Sequence, residues 1–404
     1  MLSKTLIKFS LIFKKEFKNI FFMLLSSLFF ILDLVVTKKK NLIVFAQKNN
    51  LYSDNSKAFF EHVLVNSNYY KPVWLAHNYE TYLKIKKENK RANVKILHSI
   101  NGLRTLLIAK TVVVSNSLHD FFPNFKPSLR KEAIQLWHGI KWSKKFEYPN
   151  NNFTDDLTII CASSNSHKEL IFKNNFLNPQ RVYITGLPRN DKFFLNSKKK
   201  MKDNFLNDLK FSNKKIILYA PTHKEDLVSS FFPFSDLNFK VLEDFLIKNN
   251  FIIYLRPHIN DTNKNKEWKN YVRNLNSKTI FSLSFNELED INSFLPIVDI
   301  LITDYSTIYT DALLFDIPTI FIPYDYEDYN KKRGFVYKFN EIAIGPKVYN
   351  QEELLTSLKN INENKTRYIN EQRLIKNKFH KFEDGNSSKR ILDILSYRIG
   401  VNNK

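Results

Sequence analysis

The stretch from Asp299 to Pro323, DILITDYSTIYTDALLFDIPTIFIP, decides the fold that the sequence predicts. It begins with a strand-like run at 300–303, continues with apolar residues at helical spacing, and ends with a second strand-like run at 319–322. This order of strand, helix and strand is typical of a parallel βαβ unit. Ser306 and Thr307 fall at the helix start, beyond the carboxyl end of a strand, where open α/β sheets bind ligands. These hydroxyls and the nearby backbone N–H groups form a candidate phosphate site, although an ordinary helix cap would read the same.

Composition limits how a phosphate site could be built. Of the 404 residues, 43% are hydrophobic, 25% are charged and only 7 are glycine. A well-buried core is therefore expected, but neither the GxGxxG nor the GxxxxGK[ST] pattern of glycine-rich phosphate loops occurs. Any phosphate should be held by helix ends, hydroxyl groups, arginine and histidine.

The charge balance predicts an anionic partner. Lysine and arginine number 62 against 40 aspartate and glutamate residues, which leaves a formal net charge of +22. The basic residues are spread along the chain, and no basic motif with interleaved aromatic residues of the RRM type occurs, so nucleic acid is not an expected partner. The single cysteine, Cys161, excludes a disulfide framework and a multi-cysteine metal site, and its apolar neighbours predict a core position.

Residues 1–40 differ from the rest of the chain and predict a membrane-associating helical segment. Residues 20–32 are almost wholly apolar, and lysines flank them on both sides. The run is short for a transmembrane span, which needs about 20 residues, and Asp33 interrupts it. We expect a helix lying on an anionic membrane surface, with four phenylalanines available for insertion: Phe13, Phe17, Phe21 and Phe22. A tilted transmembrane helix and a core helix packed on the first domain are the alternatives.

From residue 41 onward, alternating strand and helix patterns predict two α/β domains with parallel sheets. We place an N-terminal α/β domain at 41–205, a second α/β domain at 206–380, and a C-terminal helix at 381–404. A polar, lysine- and asparagine-rich linker is expected at 190–213.

Two groups of residues at predicted strand ends in the first domain could carry chemistry. His138, in the motif Trp137-His138-Gly139, could accept a proton near neutral pH, or it could be a structural histidine packed on Trp137. Arg189, in the motif GLPRND, has the planar guanidinium that suits phosphate, or it could belong to a turn that closes the domain.

Two further groups stand at predicted strand ends in the second domain. Pro221 and Thr222 occur in the motif APTH, and Arg256 and His258 occur in the motif LRPH. They could face the space between the domains, with Arg256 and His258 neutralising a diphosphate, or they could form proline-stiffened surface loops. All the candidate groups follow predicted strands, so we expect them at one edge of each sheet.

These motifs, together with PYDYEDYNKKRGF and FEDGNSSKRI, resemble the CDP-glycerol glycerophosphotransferases over residues 41–395. Enzymes of this family polymerise teichoic acids, and relatives build capsules that contain polyol phosphates. The resemblance implies a GT-B-like fold, in which two Rossmann-like domains face a central cleft that holds CDP-glycerol. It also implies a peripheral location on the cytoplasmic face of the cell membrane.

Matching the family motifs residue by residue implies a set of site residues. His138 and His258 are the implied catalytic histidines. The implied substrate-binding residues are Trp137, Gly139, Ile140, Lys141, Arg189, Pro221, Thr222, Arg256, Ser306, Thr307 and Asp311. The chain departs from the family at Ile140 and Lys141, where Thr-Pro is frequent, and at Ile259, where proline is frequent. These departures leave the polyol and the acceptor open.

The reaction expected from the resemblance transfers glycerol phosphate, or a related polyol phosphate, from a CDP-polyol to an acceptor hydroxyl and releases CMP. A lipid-linked or polymeric saccharide is the expected acceptor, acting on the first-domain side, while the second domain binds the donor. No cofactor and no metal is expected, because the sequence shows no clustered carboxylates. One alternative is a GT-B glycosyltransferase that uses a nucleotide sugar, and another is a non-catalytic basic membrane-binding protein.

Overall fold

The computed structural model of the protein describes residues 20–48, 51–140, 142–143, 156–175, 178–195, 214–222, 231–257, 271 and 276–401. Two of the expected site residues, Lys141 and His258, lie outside the described residues. So do Phe13 and Phe17 of the N-terminal segment and most of the expected linker.

The first domain is built on a parallel sheet in the order β3-β2-β1-β4-β5-β6-β7. Its strands are β1 (Lys39–Phe45), β2 (Lys71–Ala76), β3 (Val94–Ile96), β4 (Ala109–Val114), β5 (Glu132–Gln135), β6 (Ile159–Ala162) and β7 (Val182–Ile184). The helices are α1 (residues 20–35), α2 (Asp54–Asn66), α3 (Tyr79–Glu88), α4 (Ile100–Ile108), α5 (Asn165–Asn175) and α6 (Asp191–Leu195). Helices cover both faces of the sheet, which is why its strands are continuous apolar runs.

The second domain has a smaller parallel sheet in the order β10-β9-β8-β11-β12. Its strands are β8 (Lys215–Tyr219), β9 (Phe251–Leu255), β10 (Ile280–Ser282), β11 (Ile300–Thr303) and β12 (Thr319–Phe321). The helices are α7 (Phe239–Lys248), α8 (Ile308–Leu314), α9 (Tyr326–Arg333), α10 (Phe339–Ile342), α11 (Gln351–Glu363), α12 (Lys365–Phe379) and α13 (Ser387–Ile399). The expected βαβ unit is therefore β11-α8-β12, and the α/β class with parallel sheets is confirmed.

The last helix, α13, returns to the first domain. Its residues Ile391, Leu395 and Ile399 are buried in the core between the first sheet and its helices. At its start the Asp191 carboxylate accepts hydrogen bonds from the N–H groups of residues 387 and 388, at 2.9 and 2.7 Å. The helix that the sequence analysis set apart as 381–404 thus packs as part of the first domain.

Helix α1 is docked on the first domain through a buried ion cluster. The Asp33 carboxylate lies 2.7 Å from Lys38 Nζ and 3.0 Å from Lys131 Nζ, and it accepts a hydrogen bond from the Ser128 N–H at 2.9 Å. Burial lowers the pKa of Lys131 to about 7, while the Asp33 carboxylate acts in the opposite direction. Asp33 interrupts the apolar run because it attaches the helix to the domain. In the part of the chain that the structure describes, no helix is long and apolar enough to cross a membrane.

Candidate active site

Seven of the thirteen expected site residues line a cleft between the two domains. The cleft has a volume of about 350 Å³ and is lined from the first domain by residues that include Asp54, His138 and Arg189. Its lining from the second domain includes Pro221, Arg256, Ser306, Thr307 and Asp311. The carboxyl edges of the two sheets therefore face each other across this space, as the positions of the motifs predict.

His138 is presented to the cleft by a strained turn. Strand β5 ends at Gln135, and Trp137 adopts a positive φ of 62°, which costs free energy for a residue with a side chain. The turn is held by the Asn55 side-chain amide, which donates to the Trp137 carbonyl at 2.8 Å. The His138 side chain is 46% exposed, so a solute in the cleft can reach it. The Trp137 ring packs in the first-domain core, and the expected role of this residue in substrate binding stays a prediction.

Both ring nitrogens of His138 have hydrogen-bond partners. Nδ1 lies 2.6 Å from the Asp54 carboxylate, and Nε2 contacts the Asn116 side-chain oxygen. Neither partner is among the site residues expected from the sequence. The run Asp54-Asn55-Ser56 is typical of an ordinary helix start, but Asp54 has a φ of 61°, and its carboxylate points to the site. Burial alone would raise the pKa of Asp54, but the charges of Arg189 and His138 bring it below its ordinary value.

Arg189 joins the two domains at the base of the cleft. Its Nη1 donates to Asp54 at 2.8 Å and to the His138 carbonyl, and its Nη2 donates to both Asp311 oxygens at 2.9 and 2.7 Å. Burial alone would lower the pKa of Arg189, but the carboxylates of Asp311 and Asp54 hold it above its ordinary range. The Arg189 guanidinium was expected to bind phosphate. In the structure it binds the carboxylates of Asp54 and Asp311 instead.

The loop after His138 crosses into the second domain. A Cβ atom on Gly139 would lie 3.0 Å from Arg189 Nη2, so glycine lets the guanidinium pass close to the backbone. Ile140 is fully buried in an aromatic cluster of the second domain, and its expected role in substrate binding stays a prediction. Trp142 Nε1 and Ser143 Oγ donate to the carbonyls of residues 306 and 305, at 3.2 and 2.6 Å. This loop fixes the Ser306 turn relative to His138.

The second-domain wall is rich in hydroxyl groups. The backbone N–H and the hydroxyl of Thr222 both donate to the Asp304 carboxylate, at 2.8 and 2.6 Å, which joins the ends of β8 and β11. Ser306 and Thr307 precede α8 and are half-buried at the edge of the cleft. Thr307 is the residue before the first helical turn, but its side chain makes no capping hydrogen bond. The ordinary-cap alternative therefore does not account for the Thr307 hydroxyl.

Arg256 also lies at this wall, with partners unlike those of Arg189. Its guanidinium donates to the carbonyls of Leu283 and Glu289, at 2.9 and 3.2 Å, and to that of Leu288. Burial lowers the pKa of Arg256 to about 10, so it is still cationic at neutral pH. It both holds the 283–289 segment and lines the cleft.

Cys161 is fully buried in β6, and burial raises the pKa of its thiol to about 12, so it is a core residue. Within the described ranges, no group of three or more His, Cys, Asp or Glu side chains is arranged to hold a metal ion.

Two facing α/β domains with parallel sheets and a cleft between their carboxyl edges form a GT-B-like fold. The sequence model of the family CDP-Glycerol:Poly(glycerophosphate) glycerophosphotransferase matches residues 28–397. The chain belongs to this family, which confirms both the resemblance and the phosphotransferase class expected from its motifs.

Similar proteins agree with this assignment. Teichoic acid glycerol-phosphate transferase of Staphylococcus aureus (strain NCTC 8325 / PS 47) is 27% identical over 387 residues, which covers 87% of this chain and 92% of that protein. Teichoic acid poly(ribitol-phosphate) polymerase of Bacillus spizizenii is 29% identical over 300 residues, which covers 68% of this chain but only 45% of the length of that polymerase.

A solved structure supports the fold. A variant of the wall teichoic acid polymerase TagF, soaked with CDPG, has a TM-score of 0.76 to this chain and covers 96% of it and 98% of its own chain. The sequence identity of that pair is 22%, so this likeness concerns the fold alone.

Proposed function

We propose that this protein transfers glycerol phosphate, or a related polyol phosphate, from a CDP-polyol to a hydroxyl group of a teichoic acid-like or capsular acceptor. The single observation that carries the proposal is the placement of His138, held by the Asp54 carboxylate, across one cleft from the hydroxyls of Ser306 and Thr307. A base and an anion-binding wall that face each other are what a phosphoryl transfer to a hydroxyl requires. The family and the similar proteins support this choice of reaction.

The donor diphosphate binds to the second-domain wall. There, Ser306 and Thr307 supply hydroxyl donors, and Arg256 supplies a positive charge with no direct carboxylate partner among the described residues. His258 follows β9 in sequence and is proposed to join them. Arg189 is a poorer phosphate ligand, because Asp54 and Asp311 already neutralise it. These groups position the donor and stabilise the charge that develops on the transferred phosphorus and the leaving group, which carries most of the catalysis of phosphoryl transfer.

His138 acts on the acceptor. The acceptor oxygen attacks the β-phosphorus, a new P–O bond forms, and the bond from that phosphorus to the bridging oxygen breaks, so that CMP leaves with the electron pair. The acceptor proton moves to His138 Nε2, while Asp54 holds Nδ1 and stabilises the imidazolium ion that forms. General base catalysis of this kind contributes about 10²–10⁴-fold to the rate. The chemistry needs no cofactor in this scheme.

The experiment is CMP release from CDP-glycerol, CDP-ribitol and common nucleotide sugars, with bacterial membranes as the source of acceptor. Release of CMP from one CDP-polyol, lost in His138→Ala, would support the proposal and name the donor. Release of a nucleoside diphosphate from a nucleotide sugar would instead assign a GT-B glycosyltransferase. Thermal shift with each donor separates a missing acceptor from a missing donor site.

The same proposal places the protein peripherally on the cytoplasmic face of the cell membrane, where a lipid-linked acceptor would lie. Helix α1 buries Phe29 and Asp33 against the first domain but leaves an apolar outer face, on which Leu24, Leu28 and Ile31 are 62%, 57% and 60% exposed. An apolar helix face on a strongly basic protein is suited to an anionic bilayer.

Vesicle sedimentation tests this location. The triple variant Leu24→Ser/Leu28→Ser/Ile31→Ser should lose binding to vesicles that contain anionic lipid. A control, Leu374→Ser, removes a leucine that is 78% exposed on α12 and should bind as the unaltered protein does. Equal binding by the triple variant would show that α1 is not the anchor.

A further inference from the structure

Asn116 is fixed in one orientation next to His138. It follows β4, and the Asp120 carboxylate accepts hydrogen bonds from both its backbone N–H, at 2.9 Å, and its side-chain Nδ2, at 3.2 Å. The Gln135 amide donates to the Asn116 carbonyl at 2.7 Å. Asp120 is fully buried, and His77 Nε2 lies 2.7 Å from its backbone oxygen. The side-chain amide of Asn116 therefore has little freedom to turn.

This orientation decides which atom of Asn116 faces His138. Because Nδ2 donates to the Asp120 carboxylate, the side-chain oxygen Oδ1 is directed to His138 Nε2. An amide oxygen only accepts hydrogen bonds, so it stabilises His138 whenever Nε2 carries a proton. The Asp54 carboxylate contacts Nδ1 on the opposite side of the ring. Asn116 and Asp54 therefore flank the ring from two sides and hold it in one orientation.

While Asn116 Oδ1 occupies the position at Nε2, an acceptor hydroxyl cannot reach that nitrogen. We propose that Asn116 is a positioning residue that holds the resting His138 ring, and that the acceptor hydroxyl replaces Asn116 Oδ1 at Nε2 when the reaction begins. The inference rests on the proposed role of His138 as the base. Nε2 receives the proton of the hydroxyl as the new P–O bond forms and the bond from that phosphorus to the bridging oxygen breaks. Asn116 Oδ1 and the acceptor hydroxyl compete for the same position at Nε2. The contact with Asn116 therefore orients Nε2 towards the place where the acceptor hydroxyl binds.

The charges around the ring support this assignment. Asp54 faces the ring from α2, the Arg189 guanidinium contacts the His138 backbone oxygen from the turn after β7, and Asp311 of α8 lies behind Arg189. Glu289 and Asp290 line the same cleft. Burial raises the pKa of Asp120, and the positive charge of His138 acts in the opposite direction. Both hydrogen bonds from Asn116, one from its backbone N–H and one from its side chain, go to Oδ2 of Asp120. The other oxygen, Oδ1, has no hydrogen-bond partner within the described part of the chain.

The test is the pH dependence of kcat/KM for CMP release with the full chain. Asn116→Asp places a carboxylate at Nε2 and should move the acidic limb of the profile upward by about one to three pH units. Asn116→Ala removes the partner of the Nε2 proton and should move that limb to lower pH, with the KM for CDP-glycerol unchanged. Asp120→Asn, which frees the Asn116 amide to turn, should shift the limb in the same direction as Asn116→Ala but by less.

Controls keep the outcomes distinct. Asn78→Ala removes an asparagine that caps α3 in the same domain, at 2.8 Å from the Thr81 N–H, and should leave the profile unchanged. Asn116→Asp preserves shape, and its protection by CDP-glycerol in a thermal shift assay checks that it folds. If the acidic limb of the kcat/KM profile is unchanged in both Asn116 variants while His138→Ala is inactive, the role of Asn116 is overturned and the proposed base stands. Near-normal turnover of His138→Ala would overturn the proposed base and the inference together.

Discussion

The two walls of the cleft each present a buried arginine, but the two arginines have opposite surroundings. Arg189, on the first-domain wall, is enclosed by the carboxylates of Asp54 and Asp311 at 2.7–2.9 Å. Arg256, on the second-domain wall, is held by backbone carbonyls. Burial lowers the pKa of Arg256 to about 10, and the charges of Asp290 and Glu287 offset this only in part, whereas the carboxylates of Asp311 and Asp54 raise the pKa of Arg189.

This difference assigns the two walls different roles. On the first wall two negative charges surround one positive charge, so a diphosphate gains little there, and the ion cluster instead fixes His138 and the domain contact. On the second wall the Arg256 cation has no carboxylate in direct contact among the described residues, although the charges of Asp290 and Glu287 act on it. It stands in a cleft lined by Ser306 and Thr307. An anionic donor should bind to the second wall, and a neutral acceptor hydroxyl should meet the first.

The strongest test of this division is His138→Ala. The variant should lose about 10²–10⁴-fold in kcat, because it lacks the base, but it should keep its affinity for CDP-glycerol, because the donor binds to the other wall. CMP release measures the first effect and thermal shift with CDP-glycerol measures the second. If His138→Ala also loses its thermal stabilisation by CDP-glycerol, then the first wall contributes to donor binding and the proposed division of roles is wrong.

Arg189→Met should mainly reduce stability. Removing the guanidinium leaves the Asp54 and Asp311 carboxylates buried and uncompensated, which costs about 3–5 kcal/mol in such clusters. Arg256→Met is the matched variant on the other wall, and it loses hydrogen bonds to neutral carbonyls, so it should lower stability less and CDP-glycerol affinity more. Denaturant unfolding and donor titration of the two variants check the contrast, which fails if both behave alike.

Much of the second wall follows from local sequence. The strand and helix patterns predict β11, α8 and β12, and Ser306 and Thr307 lie at the start of α8 as expected. Parallel topology then brings the other motifs to one edge without further information. Local sequence patterns predict where a residue lies along a strand, and the parallel topology determines which strand ends come together.

The first wall could not be derived in the same way, because its contacts join distant parts of the chain. Asp54 and His138 are 84 positions apart, and Arg189 and Asp311 are 122 positions apart. The position of Ile140 could not be predicted for a related reason, since a loop sequence does not reveal which domain will bury it. The substrate roles of Lys141 and His258 stay predictions.

Two buried histidines away from the cleft, His167 of α5 and His380 after α12, should make the stability of the protein depend on pH. Burial lowers the pKa of His167 to about 3 and that of His380 to about 4, from an ordinary 6.5. His380 Nε2 donates to the Thr310 carbonyl at 2.7 Å, and His167 Nδ1 accepts from the Ser163 N–H at 3.2 Å. The folded state keeps both rings neutral, whereas the unfolded chain binds protons below about pH 6.5.

The free energy of unfolding should therefore fall as the pH drops from 6.5 towards 4, and His380 alone should account for about 3 kcal/mol of the loss. His380→Gln can keep the hydrogen bond to Thr310 but cannot titrate, so its stability should depend less on pH over this range. Denaturant midpoints at pH 7, 5 and 4 for both proteins test this. Identical slopes would show that His380 does not titrate differently in the folded state.

The smallest effect expected is that of Ser306→Ala/Thr307→Ala, and it bears most directly on the second wall. A hydrogen bond that is exchanged with water contributes about 0.5–1.5 kcal/mol net, so the double variant, which loses two, should bind CDP-glycerol about tenfold more weakly while it keeps the strained turn and ion cluster of the first wall. Ser277→Ala is the matched control, because Ser277 precedes β10 and so lies at the opposite edge of the same sheet. Donor titration by thermal shift separates the two. If the double variant retains full affinity while Arg256→Met loses it, the wall binds the donor through its charge, and the hydroxyl groups only shape the turn.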